Sequence, residues 1–198
     1  MPRHKVDKHM PPSFRQWYPS TRIIIDATEF FIEKPSSLAR QSATWSSYKN
    51  HNTFKSLLGI SPDATFTYIS DLYEGSISDV SLVEQCGLLG RLERGDSVMA
   101  DKGFEIQHLL TGLGVCLNIR PFQQGQRQFA PDEVMKTKKI AVVCIHVERA
   151  IQRLTGVMQN SLWDVCEQLV FVAAVLCNFQ PGLAAKFFFI LLLATWIF

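Results

Sequence analysis

The strongest hydrophobic signal lies at residues 22–32, RIIIDATEFFI, where three isoleucines stand in a row. β-Branched residues without alternation predict a strand covered on both faces. Pro35, Ser36 and Ser37 break the pattern. Residues 43–60 mix aromatic and β-branched side chains with polar ones and predict one long strand or two short ones, ending at Ser61 and Pro62. Residues 65–73, TFTYISDLY, alternate with period two and predict another strand, so an antiparallel meander is expected. From Gly75 the period lengthens. Ser78 or Asp79 is placed to cap a helix, Ser81 and Glu84 have capping-box spacing, and Val80, Val83, Leu88 and Leu89 supply an apolar stripe. Residues 97–100, SVMA, predict a short strand running into Asp101. A short helix at 105–110 and a strand at 115–119 follow, then a polar loop at 122–131.

The longest helical pattern covers residues 132–155. Ile140, Cys144, Val147, Ile151 and Leu154 recur at steps of four, three, four and three. Glu148 lies on or beside that apolar face, unusual for a glutamate unless it is paired or bound to a metal. A last apolar helix is predicted at 162–177, packed centrally. Residues 1–20, with prolines at 2, 11, 12 and 19, read as an irregular basic lead-in. The mixture predicts an α/β fold with five strands and flanking helices.

Composition narrows the function classes. Apolar residues make up 47% of the 198, enough for a sizeable core, and the net charge is only +2. That balance excludes a polybasic tail and an acidic disordered chain as descriptions of the whole protein, so any nucleic-acid contact must come from local patches. Lys49, His51 and Lys55 share such a patch if a strand presents them together. The five cysteines contain no C-x-x-C pair, and free thiols are expected rather than a disulfide framework or zinc ribbon. The terminal run FFFILLLATWIF, residues 187–198, is uncharged but short of the roughly 20 residues a span needs. It sets residues 183–198 apart and leaves membrane contact as a minor alternative.

Asp26 and Asp101 each end an apolar strand, and Glu148 edges a long helix. If the two strands are neighbours, the aspartates meet at one sheet end, and a helix packed on the sheet can add the glutamate. Three carboxylates in contact repel and raise one another's pKa, which a hard divalent cation relieves. Two such ions about 4 Å apart support in-line phosphodiester chemistry.

The segments RIIIDATEF, TWSSYKNHNTFKSLLGISP, TFTYISDLYEGSISD, SVMADKGF, LNIRPF and IAVVCIHVERAIQRL occur in that order. Together they resemble the DDE nuclease domain of PIF/Harbinger-type transposases, related to domains found beside THAP zinc modules. The resemblance implies an RNase H-like fold over residues 21–182. It implies a divalent cation cofactor, Mg²⁺ or Mn²⁺, held by Asp26, Asp101 and Glu148 as the catalytic triad, with DNA as substrate and the nucleus as location. The family's Gly-Ser-x-Ser-Asp stretch matches Gly75 to Asp79, with Asp79 expected to be structural. Arg22, Lys49, Lys55, Lys102 and Arg149 are candidate phosphate contacts, and His51 and His146 weaker candidates for touching substrate. Cys144 stands where the family commonly has an arginine, and Arg120 replaces a frequent proline. No cysteine precedes Asp26, so a separate DNA-binding partner protein is expected to supply target recognition. The alternative is a domesticated or decayed domain that binds DNA or protein without cutting.

Overall fold

The computed structural model describes residues 1–101, 103–119, 157–158 and 164–179. The isoleucine-rich segment forms the central strand β1, Thr21–Ile32. Helices α1, Arg3–His9, and α2, Pro12–Trp17, precede it in the lead-in, and helix α3, Leu38–Thr44, and the two-residue strand β2, Trp45–Ser46, follow it. Strand β3, His51–Ile60, turns back along β1 in antiparallel register, with Asp26 opposite Leu58 and Glu29 opposite Lys55. Its outer edge pairs in succession with β2, with β5 (Tyr73–Glu74) and with β4 (Phe66–Ile69). Helix α4, Asp79–Gln85, and strand β6, Ser97–Ala100, follow; β6 lies parallel to β1 on the opposite edge from β3. Helix α5, Gln107–Thr111, leads to β7, Cys116–Asn118, parallel to β6. Strand β8, Val157–Met158, adds to the far end of β1, and helix α6 spans Cys166–Asn178.

The molecule is therefore α/β with a mixed sheet, antiparallel between β1 and β3 and parallel through β1, β6 and β7. Among the described residues the sheet has eight strands rather than five. The difference is β2, β5 and β8, each two residues long, too short to leave a periodic trace in sequence.

Both faces of the sheet are covered, which is why β1 tolerates consecutive isoleucines. Ile24, Leu58, Ile60 and Met99 pack with Phe14 on one side. Ile23, Ile25, Leu57 and Val98 pack with Leu82 of α4 on the other. Burying each such side chain contributes about 1.5–3 kcal/mol.

Two expectations need correction. The first twenty residues are not irregular: α1 and α2 bury Val6, Met10 and Phe14 in the core. Their prolines start helices instead of preventing them, because Pro11 is the N-cap of α2 and Pro12 its first residue, where the missing N–H costs nothing. The last helix does not pack on all sides. It buries Cys166, Val170, Ala174 and Cys177, while Phe171, Val172 and Leu176 are exposed. Asn178 fastens its end to β4, accepting from Phe66 N at 2.8 Å and donating to Phe66 O at 3.0 Å.

The loop at 122–131, the helix at 132–155 and the tail at 187–198 lie outside the described residues. Among the described residues no helix is long and apolar enough to cross a membrane. Of the described cysteines, Cys116 is exposed, Cys86 is half-buried, and Cys166 and Cys177 are buried.

Candidate active site

The register between β1 and β6 brings two acidic residues to one place. Ile25 of β1 pairs with Ala100 of β6. Asp26 and Asp101 are the next residues on each path, so the aspartates emerge side by side where β6 ends and β1 runs on. Asp26 is half-buried and Asp101 exposed.

The surroundings of Asp26 disfavour its charge. Burial raises its pKa above the usual carboxylate value; the Thr28 hydroxyl works against this, and the negative charges of Asp101 and then Asp79 raise it again. The Thr28 hydroxyl donates to Asp26 Oδ2 at 3.3 Å. Among the described residues no cation pairs with Asp26.

Asp79 is the component that sequence reasoning set aside as structural. Ser78 caps α4 by accepting from Ser81 N at 3.1 Å, so the helix starts earlier than the Ser81 capping box suggests and Asp79 is its first residue. Its Oδ1 lies 3.3 Å from the Lys55 ammonium. Its Oδ2 faces the loop after Asp101: a Cβ placed on Gly103 would meet that oxygen at 3.6 Å. Asp79 is therefore both an ion-pair partner and a neighbour of the aspartate pair. The sequence signal was its place in the Gly75 to Asp79 stretch, at the start of a capped helix.

Lys55 does not face solvent as a phosphate contact would. Its side chain is 11% exposed and lies 3.6 Å from Glu29 Oε1, whose own side chain is 7% exposed. It also donates to Ile77 O at 2.9 Å, and Thr53 donates to Glu29 Oε2 at 3.0 Å. Lys55 thus joins β1, β3 and the start of α4. Arg22 is also buried, 3.7 Å from the carboxylate of Glu93. Lys49 sits over the exposed Tyr48 ring at 4.9 Å. His51 is exposed, edge-on to Phe31 at 5.3 Å. It shares a strand face with Lys55 but not its surroundings. Lys102, His146 and Arg149 lie outside the described residues.

Glu148 also lies outside the described residues, as do Arg120 and Cys144. Among the described residues no group of three His, Cys, Asp or Glu side chains is placed to hold a metal ion. The donors that are described do suit a hard divalent cation. They are carboxylate oxygens, two of them adjacent, and each adds to the cost of ionising the buried one. A bound cation reverses that cost. A cleft of about 410 Å³ opens elsewhere, beside α3, lined by Lys34, Leu38, Gln41, Ser42, Trp45 and Asn52. It contains no carboxylate.

Residues 25–178 match the family model described as DDE superfamily endonuclease. No curated protein and no solved structure matches the chain.

Proposed function

The chain belongs to the DDE superfamily endonuclease family, and from that premise we propose that it is a transposase-derived, divalent-metal-dependent DNA nuclease of PIF/Harbinger type. In this reading the fold is RNase H-like, and the five longer strands of the mixed sheet support it. The catalytic residues are Asp26, Asp101 and Glu148. The observation that carries the reading is the parallel register of β1 and β6, which sets Asp101 beside Asp26.

Asp26, Asp101 and Glu148 would hold Mg²⁺ or Mn²⁺, which supplies charge stabilisation and an activated water for phosphodiester cleavage. The protein's own part is prior placement. β1 is paired with β3 at Asp26 and with β6 at Ile25, which holds the backbone of Asp26 beside that of Asp101. Burial keeps the surroundings of Asp26 low in dielectric, which strengthens its attraction for a cation. The exposed side of the pair, at Asp101, faces solvent and is the open approach for a DNA phosphate. In this reading the protein works on DNA in the nucleus.

The test is nicking of supercoiled DNA in Mg²⁺ or Mn²⁺. The wild-type chain is expected to cut, and Asp26→Asn and Asp101→Asn are each expected to lose about a hundredfold or more, the scale of removing one charge-stabilising group. Equal rates in wild type and Asp101→Asn would overturn the assignment. Cation binding without cleavage would favour the non-catalytic binding domain instead.

A further inference from the structure

The start of β1, about 13 Å from Asp26 at the usual strand rise, holds a second charged feature. The register with β6 slips there: Thr21 pairs with Ser97 and Ile23 with Val98, leaving Arg22 as the extra residue of a β-bulge. Bulges re-aim side chains. This one accompanies an arginine whose side chain is 10% exposed and which lines a small, half-open cavity with Thr67, Tyr68, Leu88 and Arg91. Among the described residues the Nη1 of Arg22 has no hydrogen-bond partner. Its Nη2 has Glu93 at 3.7 Å, an ion pair too long for a hydrogen bond, and Glu93 is 66% exposed. Arg91 contributes a second guanidinium, stacked over the Tyr68 ring at 5.3 Å.

A buried guanidinium nitrogen without an acceptor is costly. Two arginine forks beside one cavity, paired among the described residues only with Glu93 at 3.7 Å, suit a planar or tetrahedral oxyanion that accepts their hydrogen bonds. We propose that the Arg22 and Arg91 cavity is an oxyanion-binding site that takes a phosphate group, separate from the aspartate pair. Arg22 supplies the buried donor and Arg91 closes the outer side, held in position by Tyr68. The phosphate can be a free ion or part of a nucleic-acid backbone; the recognition chemistry is the same. The inference does not depend on the nuclease reading.

The test titrates inorganic phosphate into the metal-free full chain by isothermal calorimetry and repeats the titration with a short single-stranded DNA oligonucleotide. Saturable binding is expected. Arg91→Ala, at an exposed position that leaves the core intact, is expected to weaken it about tenfold or more. Arg22→Lys keeps the charge but loses the fork and is expected to do the same. Displacement of phosphate by the oligonucleotide would identify nucleic acid as the source, and binding of phosphate without displacement would identify the free ion. Asp101→Asn is expected to bind phosphate as the wild type does, so a failed nicking assay leaves this result standing. The proposal is overturned if neither probe binds saturably, or if Arg91→Ala and Arg22→Lys both bind as tightly as the wild type.

Discussion

Asp26 is a carboxylate whose charge the fold disfavours. Its carboxyl is raised by burial first and by Asp101 and Asp79 after that, so the folded protein keeps this proton to a higher pH than the unfolded chain does. Between the ordinary carboxylate value and the raised one, the folded state binds more protons. Its stability therefore falls as pH rises through that window, and above the window the whole penalty is present. Asp26→Asn removes the charge with little change in shape. It is expected to raise the melting temperature of the metal-free protein at pH 7 and to leave it unchanged at about pH 3, below both values. Each kcal/mol recovered would appear as roughly 2–4 °C in a chain of this length. Calorimetry with and without cation checks both halves: Mn²⁺ should stabilise the wild type and do little for the variant. A lower melting temperature for Asp26→Asn at pH 7 would show that the carboxylate contributes to folding after all.

Between elements, the decisive contacts run across the sheet to α4. Lys55 of β3 meets Glu29 of β1 and Asp79 of α4 with its own side chain nearly covered. Lys55→Met would strand the 7%-exposed Glu29 carboxylate without its cation, an outcome that costs about 3–5 kcal/mol when a buried pair is broken. Lys55→Arg should recover part of it, and urea denaturation of the two variants measures the difference. Gly75 fixes the same junction from the other side. A Cβ there would fall 2.2 Å from Thr53 Oγ1 and 2.7 Å from the carbonyls of Thr44 and Thr53. Two of those atoms are backbone, so the strand cannot give way as a side chain could. This scale also separates what was readable in the sequence from what was not. The strands at 22–32 and 97–100 are legible because apolar runs and β-branching are local properties, and so is Asp101 at the end of its strand; Asp26 ends only the isoleucine run, because β1 continues through it to Ile32. The ion pair of Lys55 was not legible. Lys55 and Asp79 are distant in sequence, and nothing in a strand pattern reveals that a lysine points inward. The helix at Leu38–Thr44 was missed because Trp45 and the polar residues around it read as a strand.

At the scale of the whole molecule, the N-terminal helices decide how the sheet is closed. Without them one face of β1 would show Ile24, and β3 would show Leu58 and Ile60, to water. Prolines made this segment look irregular, yet Val6, Met10 and Phe14 recur at four-residue steps across α1 and α2, and all three are buried. Polar contacts hold the helices down. Arg3 donates to the carboxylate of the buried Asp96 at 2.7 Å and to the carbonyls of Ser20 and Pro19, both at 2.9 Å. Asp96 in turn accepts from Glu93 N at 3.0 Å, so the anchor reaches the turn that launches β6 toward Asp101. The N-terminal segment thus belongs to the same cooperative unit as the candidate active site. Phe14 is 2% exposed, and Phe14→Ala is expected to cost about 3–5 kcal/mol. Because the helices and sheet share one core, that loss should appear as a lower midpoint of a single denaturation transition followed both by far-ultraviolet circular dichroism and by tryptophan fluorescence. Trp17 closes α2 and Trp45 lies in β2, so the fluorescence reports both regions. A separate early transition, with the sheet signal unmoved, would show instead that α1 and α2 are an appendage whose loss leaves the aspartate pair in place.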